Sequence, residues 1–402
     1  MITPDEARFN AASALLADAH DIVAGRPDGA APPAWCERRG WTSFLATLPA
    51  DALAAAERDG LALHVAAMPG APDDLVALAR AVTLCTTLPT VLAPAAEAVD
   101  ARRASPRKRA QVAAFAALAD RVGGAPARVV DVGSGHGHLT RHLARALGVE
   151  AEGWERDAAR VAVASALAGD GGARFVALDA RDAAGRLRAT DLVVGLHACG
   201  ALGDLAVRAA GAAGASVAIV GCCLQKRDGD RAALVVPAGV RAEGLTIGRA
   251  VLGLGNGCDG EQGVEEALAV RSAARVNRMA LRAALLAAGQ AVTAGEEMRG
   301  VNRRRATGSF AALAEGAFAA RGLRAPTAAE VDAAARAAAA EYERVRRWSL
   351  PRAMLSRLIE VWVALDRAAW LRARGYETEV VAAFDAAMSP RNVAVLGRAP
   401  RG

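Results

Sequence analysis

The chain has 402 residues, a formal net charge of +6 and six cysteines. It holds no run of the roughly 18 apolar residues that a membrane-spanning helix needs, and MITPDEARFN lacks the basic and apolar regions of a signal peptide. The cysteines follow no framework spacing and form no CxxC pair, which argues against disulfides and a zinc ribbon and for reduced thiols in a cytoplasmic protein.

Residues 1–104 read as helices broken by Pro and Gly loops, with Trp35, Trp41, Phe44 and Leu45 as a small hydrophobic core. SPRKRAQVAAFAALADRV, over 105–122, predicts an amphipathic helix with Ser105 as N-cap and Pro106 in its first turn. An apolar run then ends in Asp131 and opens into Gly133-Ser134-Gly135-His136-Gly137 before a helical pattern starts at Leu139. Strand, Gly-rich turn and helix in that order begin a βαβ unit that binds a nucleotide-like ligand. A nicotinamide-binding G-x-G-x-x-G would need a glycine where His138 stands. The spacing D-x-G-x-G-x-G resembles instead the first motif of class I methyltransferases, and that resemblance implies S-adenosylmethionine as cofactor.

Four more short strands follow. Ala151–Glu155 ends in an acid suited to ribose hydroxyls. Arg174–Leu178 ends at Asp179, placed for the adenine amine, with Asp182 as a nearby competitor. Asp191–Leu196 leads into His197-Ala198-Cys199-Gly200, and Ser216–Gly221 into Cys222-Cys223. Helices are expected around 139–147, 157–168 and 201–213. Beyond Cys223 the alternation stops. Ala-rich helices are expected near 262–289, 308–321 and 327–347, then a separate helix over Arg352–Arg374 ended by Gly375, and a hairpin of strands 377–383 and 392–397. The expected fold class is α/β: a Rossmann-like seven-stranded class I methyltransferase fold. Its core is 105–223 with 350–402, joined by a helical N-terminal region (1–104) and a mostly helical insertion (224–349).

SPRKRAQV, GLHACGALGDLAVR, the Cys-Cys pair and ALDRAAWLRARGYETEVVAAFDAAMSPRNVAV together resemble the methyltransferase-like proteins that include the ribosomal-RNA-adenine-dimethylase-domain-containing proteins. The resemblance implies methyl transfer from S-adenosylmethionine and leaves the acceptor open. Asp131, Gly133, Ser134, Gly135, His136, Gly137, Glu155 and Asp179 are the expected cofactor-binding residues. His197 is a candidate general base. Cys199 and Cys222 are candidate partners in attack on a pyrimidine ring, or small residues packed under the cofactor. His138 and His142 have metal-ligand spacing but no third ligand nearby in sequence, so no metal is expected.

Residues 1–100 carry a balance of −7 and residues 101–402 one of +13. The basic residues cluster at 102–109, 299–305 and 344–352, which points to RNA as a polyanionic partner. Arginine-rich, lysine-poor usage also fits a GC-rich genome, and solvated helix surfaces account for the same clusters. A protein or small-molecule acceptor, or an inactive fold that binds RNA or a partner, stays open. Neither a membrane nor DNA is expected as a partner.

Overall fold

The alternating segments close into one seven-stranded sheet in the computed structural model, which describes residues 2–91, 104–169, 171–183, 185–238, 245–256 and 264–400. Its strands are β1 (Arg128–Val132), β2 (Glu150–Glu155), β3 (Ala173–Ala177), β4 (Asp191–Cys199), β5 (Ser216–Cys222), β6 (Glu377–Ala382) and β7 (Val393–Arg398). The order across the sheet is β3-β2-β1-β4-β5-β7-β6. β1 to β5 run parallel, and β7 lies antiparallel between β5 and β6. The chain reverses its direction of travel across the sheet between β1 and β4, and ligands of such sheets sit at the strand C-termini beside that point.

The central strands are near-continuous apolar runs because helices cover both faces. On one face, Phe115 and Leu118 of helix Pro106–Gly123, with Leu139 and Leu143 of helix His138–Leu147, bury Val129, Val194, Ala218 and Leu396. Ser105 caps the first of these helices through the amide of Lys108, as its sequence predicts. Elsewhere, helix Ala201–Ala213 meets the end of helix Ala328–Arg372 at a glycine: a Cβ on Gly211 would lie 2.5 Å from the Trp370 ring.

The chain forms two compact units, Met1–His20 with Ala81–Cys258 and Leu355–Gly402, and Asp21–Arg80 with Asp259–Met354. These divisions differ from boundaries at 104, 223 and 349. Residues 1–20 group with the sheet, where Asp5 accepts a hydrogen bond from the Val380 amide of the edge strand β6 and the Trp362 indole donates to Ser13. The second unit is helical. Trp35 and Trp41 are buried edge-to-face there, and Leu281, Leu285, Leu313 and Phe318 fill a separate core.

Two features depart from the sequence expectations. The helices expected over 327–347 and 352–374 are one 45-residue helix, Ala328–Arg372, with Pro351 inside it. An internal proline costs about 3 kcal/mol. Trp348, Leu350, Met354 and Leu355 flank it and are buried, and each such side chain returns about 1.5–3 kcal/mol. A two-residue hairpin, Arg231–Ala232 with Thr246–Ile247, follows β5 where no strand is expected. Arg102, Arg103, Gly257, Cys258 and the expected helix start at 262 lie outside the described residues. Among the described residues, no helix is long and apolar enough to cross a membrane.

Candidate active site

The turn after β1 is built by backbone geometry. Gly133, Gly135 and Gly137 have φ of 78°, 58° and 72°, a region costly for residues with a Cβ. The Gly133 and Ser134 amides donate to Trp154 O of β2, and the Gly137 amide closes onto Ser134 O. The glycines differ in what surrounds them. A Cβ on Gly137 would lie 2.2 Å from the Phe175 ring, whereas a Cβ on Gly135 meets nothing within 4 Å. Gly137→Ala is therefore expected to cost about 2–4 kcal/mol, the sum of backbone strain and overpacking. Gly135→Val carries the backbone strain of a positive φ, about 1–2 kcal/mol, but no overpacking, so it should stay folded yet obstruct the ligand space beside the turn. Chemical denaturation and donor titration of the two variants check the contrast.

The acids take different roles. Asp131 is buried beneath the turn, where its Oδ2 accepts from the Thr140 hydroxyl at 2.7 Å and ties β1 to the following helix. Burial raises its pKa to about 6, opposed by the Thr140 hydrogen bond and the Lys108 charge. Glu155, only 8% exposed at the end of β2, accepts from the amides of Gly135 at 3.2 Å and Asp157 at 3.0 Å. Asp179 accepts from the backbone and guanidinium of Arg181, which bring its pKa down to about 2. His136 is exposed, its ring edge-on to His138 with centroids 6.4 Å apart.

His197 interrupts the regular register of β4 and β5 with a φ of 70°. Its Nε2 lies 3.0 Å from Gln111 Oε1. An amide oxygen only accepts, so this contact assigns the proton to Nε2 and the lone pair to Nδ1. Burial first, then the charges of Lys108, Arg391 and Arg107, lower the His197 pKa to about 4. The imidazole is neutral near pH 7, a weaker base than its unperturbed value suggests. Gln111 Nε2 and Arg107 also reach Met388 O, so the SPRKRAQV, LHACG and SPRN segments converge here. Arg357 completes the junction by donating to Pro390 O and Asn392 Oδ1.

The His197 shift has a sign in stability. Between pH 6.5 and 4 the unfolded chain binds a proton that folded His197 refuses, so its contribution is full above 6.5 and lost as pH falls. Asp131, raised to about 6, acts oppositely, losing its contribution as pH rises from 3.8 through 6. Denaturant titrations at stepped pH should show acid destabilisation shrinking in His197→Gln and steepening in Asp131→Asn.

Cys199 and Cys222 are register partners on β4 and β5, with their sulfurs 3.1 Å apart. The hydrogen bond from the more buried Cys222 lowers the Cys199 pKa, helped by the charge of Lys226, and keeps Cys222 a thiol.

These strand ends border a cleft of about 810 Å³ lined by Gly133, Glu155, Asp179, His197, Cys199 and Leu202. Asp131 and Cys222 are buried behind its wall. Arg156, Arg160, Arg181, Lys226, Arg227 and Arg249 also line it. Sequence clustering missed these six because they come from five separate loops and helices; only their position after strand ends could have signalled them. Of the expected clusters, Arg346 is spent on Glu57 and Arg347 on Leu48 O, while Arg304 and Arg305 border a shallow depression in the helical unit.

Residues 107–228 match a family model described as "Methyltransferase domain". No curated protein matches the chain. Among solved structures, the chain is similar to the plantazolicin methyltransferase BpumL in complex with SAH, at 13% identity over 28% of this chain and 48% of that one, TM-score 0.23. It is also similar to YjhP from E. coli, at 22% identity over 26% and 47%, TM-score 0.23. The chain thus spans about half the length of each. The sheet order and glycine turn are those of a Rossmann-like class I methyltransferase fold, and residues 107–228 match a methyltransferase domain; S-adenosylmethionine is the donor that the resemblance of the glycine turn implies. The residues fit that donor: the cleft has the volume of a cofactor site, Glu155 and Asp179 offer carboxylate acceptors, and the buried Ser134 hydroxyl has no hydrogen-bond partner.

Proposed function

We propose that the protein methylates RNA with S-adenosylmethionine as donor, in the cytoplasm. The observation that carries this reading is the charge of the cleft, six cationic side chains against Glu155, Asp179 and Asp228 in its lining. Of the six, Arg160, Arg181 and Arg227 are ion-paired with Glu155, Asp179 and Asp204. Such a rim attracts and orients phosphates around an acceptor nucleotide. The helical unit adds a small cavity lined by Arg26, Arg275, Arg278 and Arg282, with Asp28 and Glu297 as its acids. Resemblance of the SPRKRAQV, LHACG and SPRN segments to ribosomal-RNA-adenine-dimethylase-domain-containing proteins supports the same acceptor class. The five described cysteines are unbridged, in keeping with a cytoplasmic setting.

When bound, the donor supplies an electrophilic sulfonium methyl. The chain supplies proximity and orientation: the glycine turn and Glu155 shape the donor side, and the cationic rim holds the acceptor strand. Neutral His197 offers Nδ1 as a hydrogen-bond acceptor for the attacking group.

Radiolabelled methyl transfer into fractionated RNA and protein, with a salt titration of RNA binding, tests the reading. Label is expected in RNA. An Arg156→Ala, Lys226→Ala, Arg249→Ala triple variant should flatten the slope of log affinity against log salt by about 2, at roughly 0.7 per lost contact on single strands. Label confined to protein would replace RNA by a protein acceptor, and donor binding without label in either fraction by a small molecule.

A further inference from the structure

The sulfurs of Cys199, Cys222 and Cys223 lie within 4.8 Å of one another, at the C-terminal ends of β4 and β5. In sequence this cluster is invisible, because 23 residues separate Cys199 from Cys222. Parallel pairing of the two strands makes them neighbours. The third thiol needs a special backbone. Consecutive residues of a strand point to opposite faces, so Cys222 and Cys223 would diverge if β5 simply continued. Cys223 instead has a φ of 45°, the left-handed region that residues with a Cβ avoid, and its sulfur comes round beside the other two.

We propose that these three cysteines form a zinc site with one coordination position left to a non-protein ligand. Zinc takes thiolates at about 2.3 Å in a tetrahedron, which sets neighbouring sulfurs about 3.8 Å apart. The observed separations, 3.1 Å for one pair and up to 4.8 Å for the others, bracket that value, so side-chain adjustments of under about 1 Å close the site. Three thiolates around a divalent ion leave a net charge of −1, and Lys108 and Lys226 stand close enough for their charges to act on Cys222 and Cys199. Cys199 lines the cleft, which gives the ion a route from solvent. A disulfide is the competing chemistry for the closest pair. It would use two sulfurs and leave the left-handed Cys223 without a reason.

The test is cobalt substitution of the full chain under reducing conditions, since cobalt reports thiolate ligands by an intense near-ultraviolet charge-transfer band. One equivalent of zinc by elemental analysis and the cobalt band are expected. Cys199→Ser, Cys222→Ser and Cys223→Ser should each weaken metal affinity at least tenfold, and Cys85→Ser should leave it unchanged. Thermal melts of the variants separate lost ligation from lost folding, and S-adenosylhomocysteine titration of the wild type keeps this result independent of the methyltransferase reading. No cobalt band, a Cys199–Cys222 disulfide in the reduced-buffer peptide map, or full affinity in Cys223→Ser would each overturn the three-thiolate site.

Discussion

Replacing Asp204 by alanine is expected to destabilise the sheet-bearing unit by about 3–5 kcal/mol, the cost of leaving a buried charge without its partner. Asp204 accepts from Arg227 at 3.0 Å, from Arg231 at 3.2 Å and from Arg367 at 2.8 Å, and Arg231 also pairs with Asp366 at 2.8 Å. Both Arg231 and Arg367 are almost wholly buried. Without Asp204, Arg367 would keep only a long hydrogen bond to Gly200 O, and Arg231 would keep the Asp366 pair and its place over the Trp362 ring. Their attraction is what holds the Asp204 pKa far below the usual carboxylate range against burial. Urea denaturation at pH 7 reads the loss directly. A matched variant with Asp204, Arg227, Arg231, Asp366 and Arg367 all replaced by apolar residues should recover most of it, because removing every member leaves no orphaned charge. If Asp204→Ala loses under about 1 kcal/mol, the network is not what anchors the 226–232 segment to the core.

How far the sequence speaks depends on whether a feature is local. The five parallel strands and the helices between them announce themselves through short apolar runs and turn residues, and their observed bounds fall within three residues of expectation. The glycine turn is equally local, since three positive φ angles in five residues demand glycine. Features made by distant segments were silent. Nothing near Gln111 marks it as the partner of His197, 86 residues on, and only the fold brings them together. Asp204 is visible inside GALGDLAVR, yet its three arginines arrive from the 227–231 segment and from a helix more than 160 residues away. The cysteine cluster depends on strand register and one left-handed residue. Pro351 misleads because propensity is a local penalty that burial of its neighbours outweighs.

Glu155→Ala is expected to weaken binding of S-adenosylmethionine about 100-fold, equivalent to about 2.7 kcal/mol. A carboxylate that receives two ribose hydroxyls makes two charge-assisted hydrogen bonds, each worth about 1.5–3 kcal/mol, and some of that total is returned by solvation of the vacated groups. Glu155 is suited to this because it is fixed beforehand: the Gly135 and Asp157 amides hold both its oxygens at the end of β2, and Arg160 lies 3.8 Å away. Such preorganisation spares the ordering cost that a mobile acid would meet on binding. Glu155→Gln keeps one accepting oxygen but turns an NH2 toward a backbone amide, so an intermediate loss of about tenfold is expected. Asp179 is less constrained by its surroundings and already bound by Arg181, and its alanine variant should lose less than Glu155→Ala. Calorimetric titration of the three variants, with thermal melts to confirm folding, gives the ranking. If Asp179→Ala proved the more damaging, the ribose would belong to β3 rather than β2, and Glu155 would serve only to brace the turn.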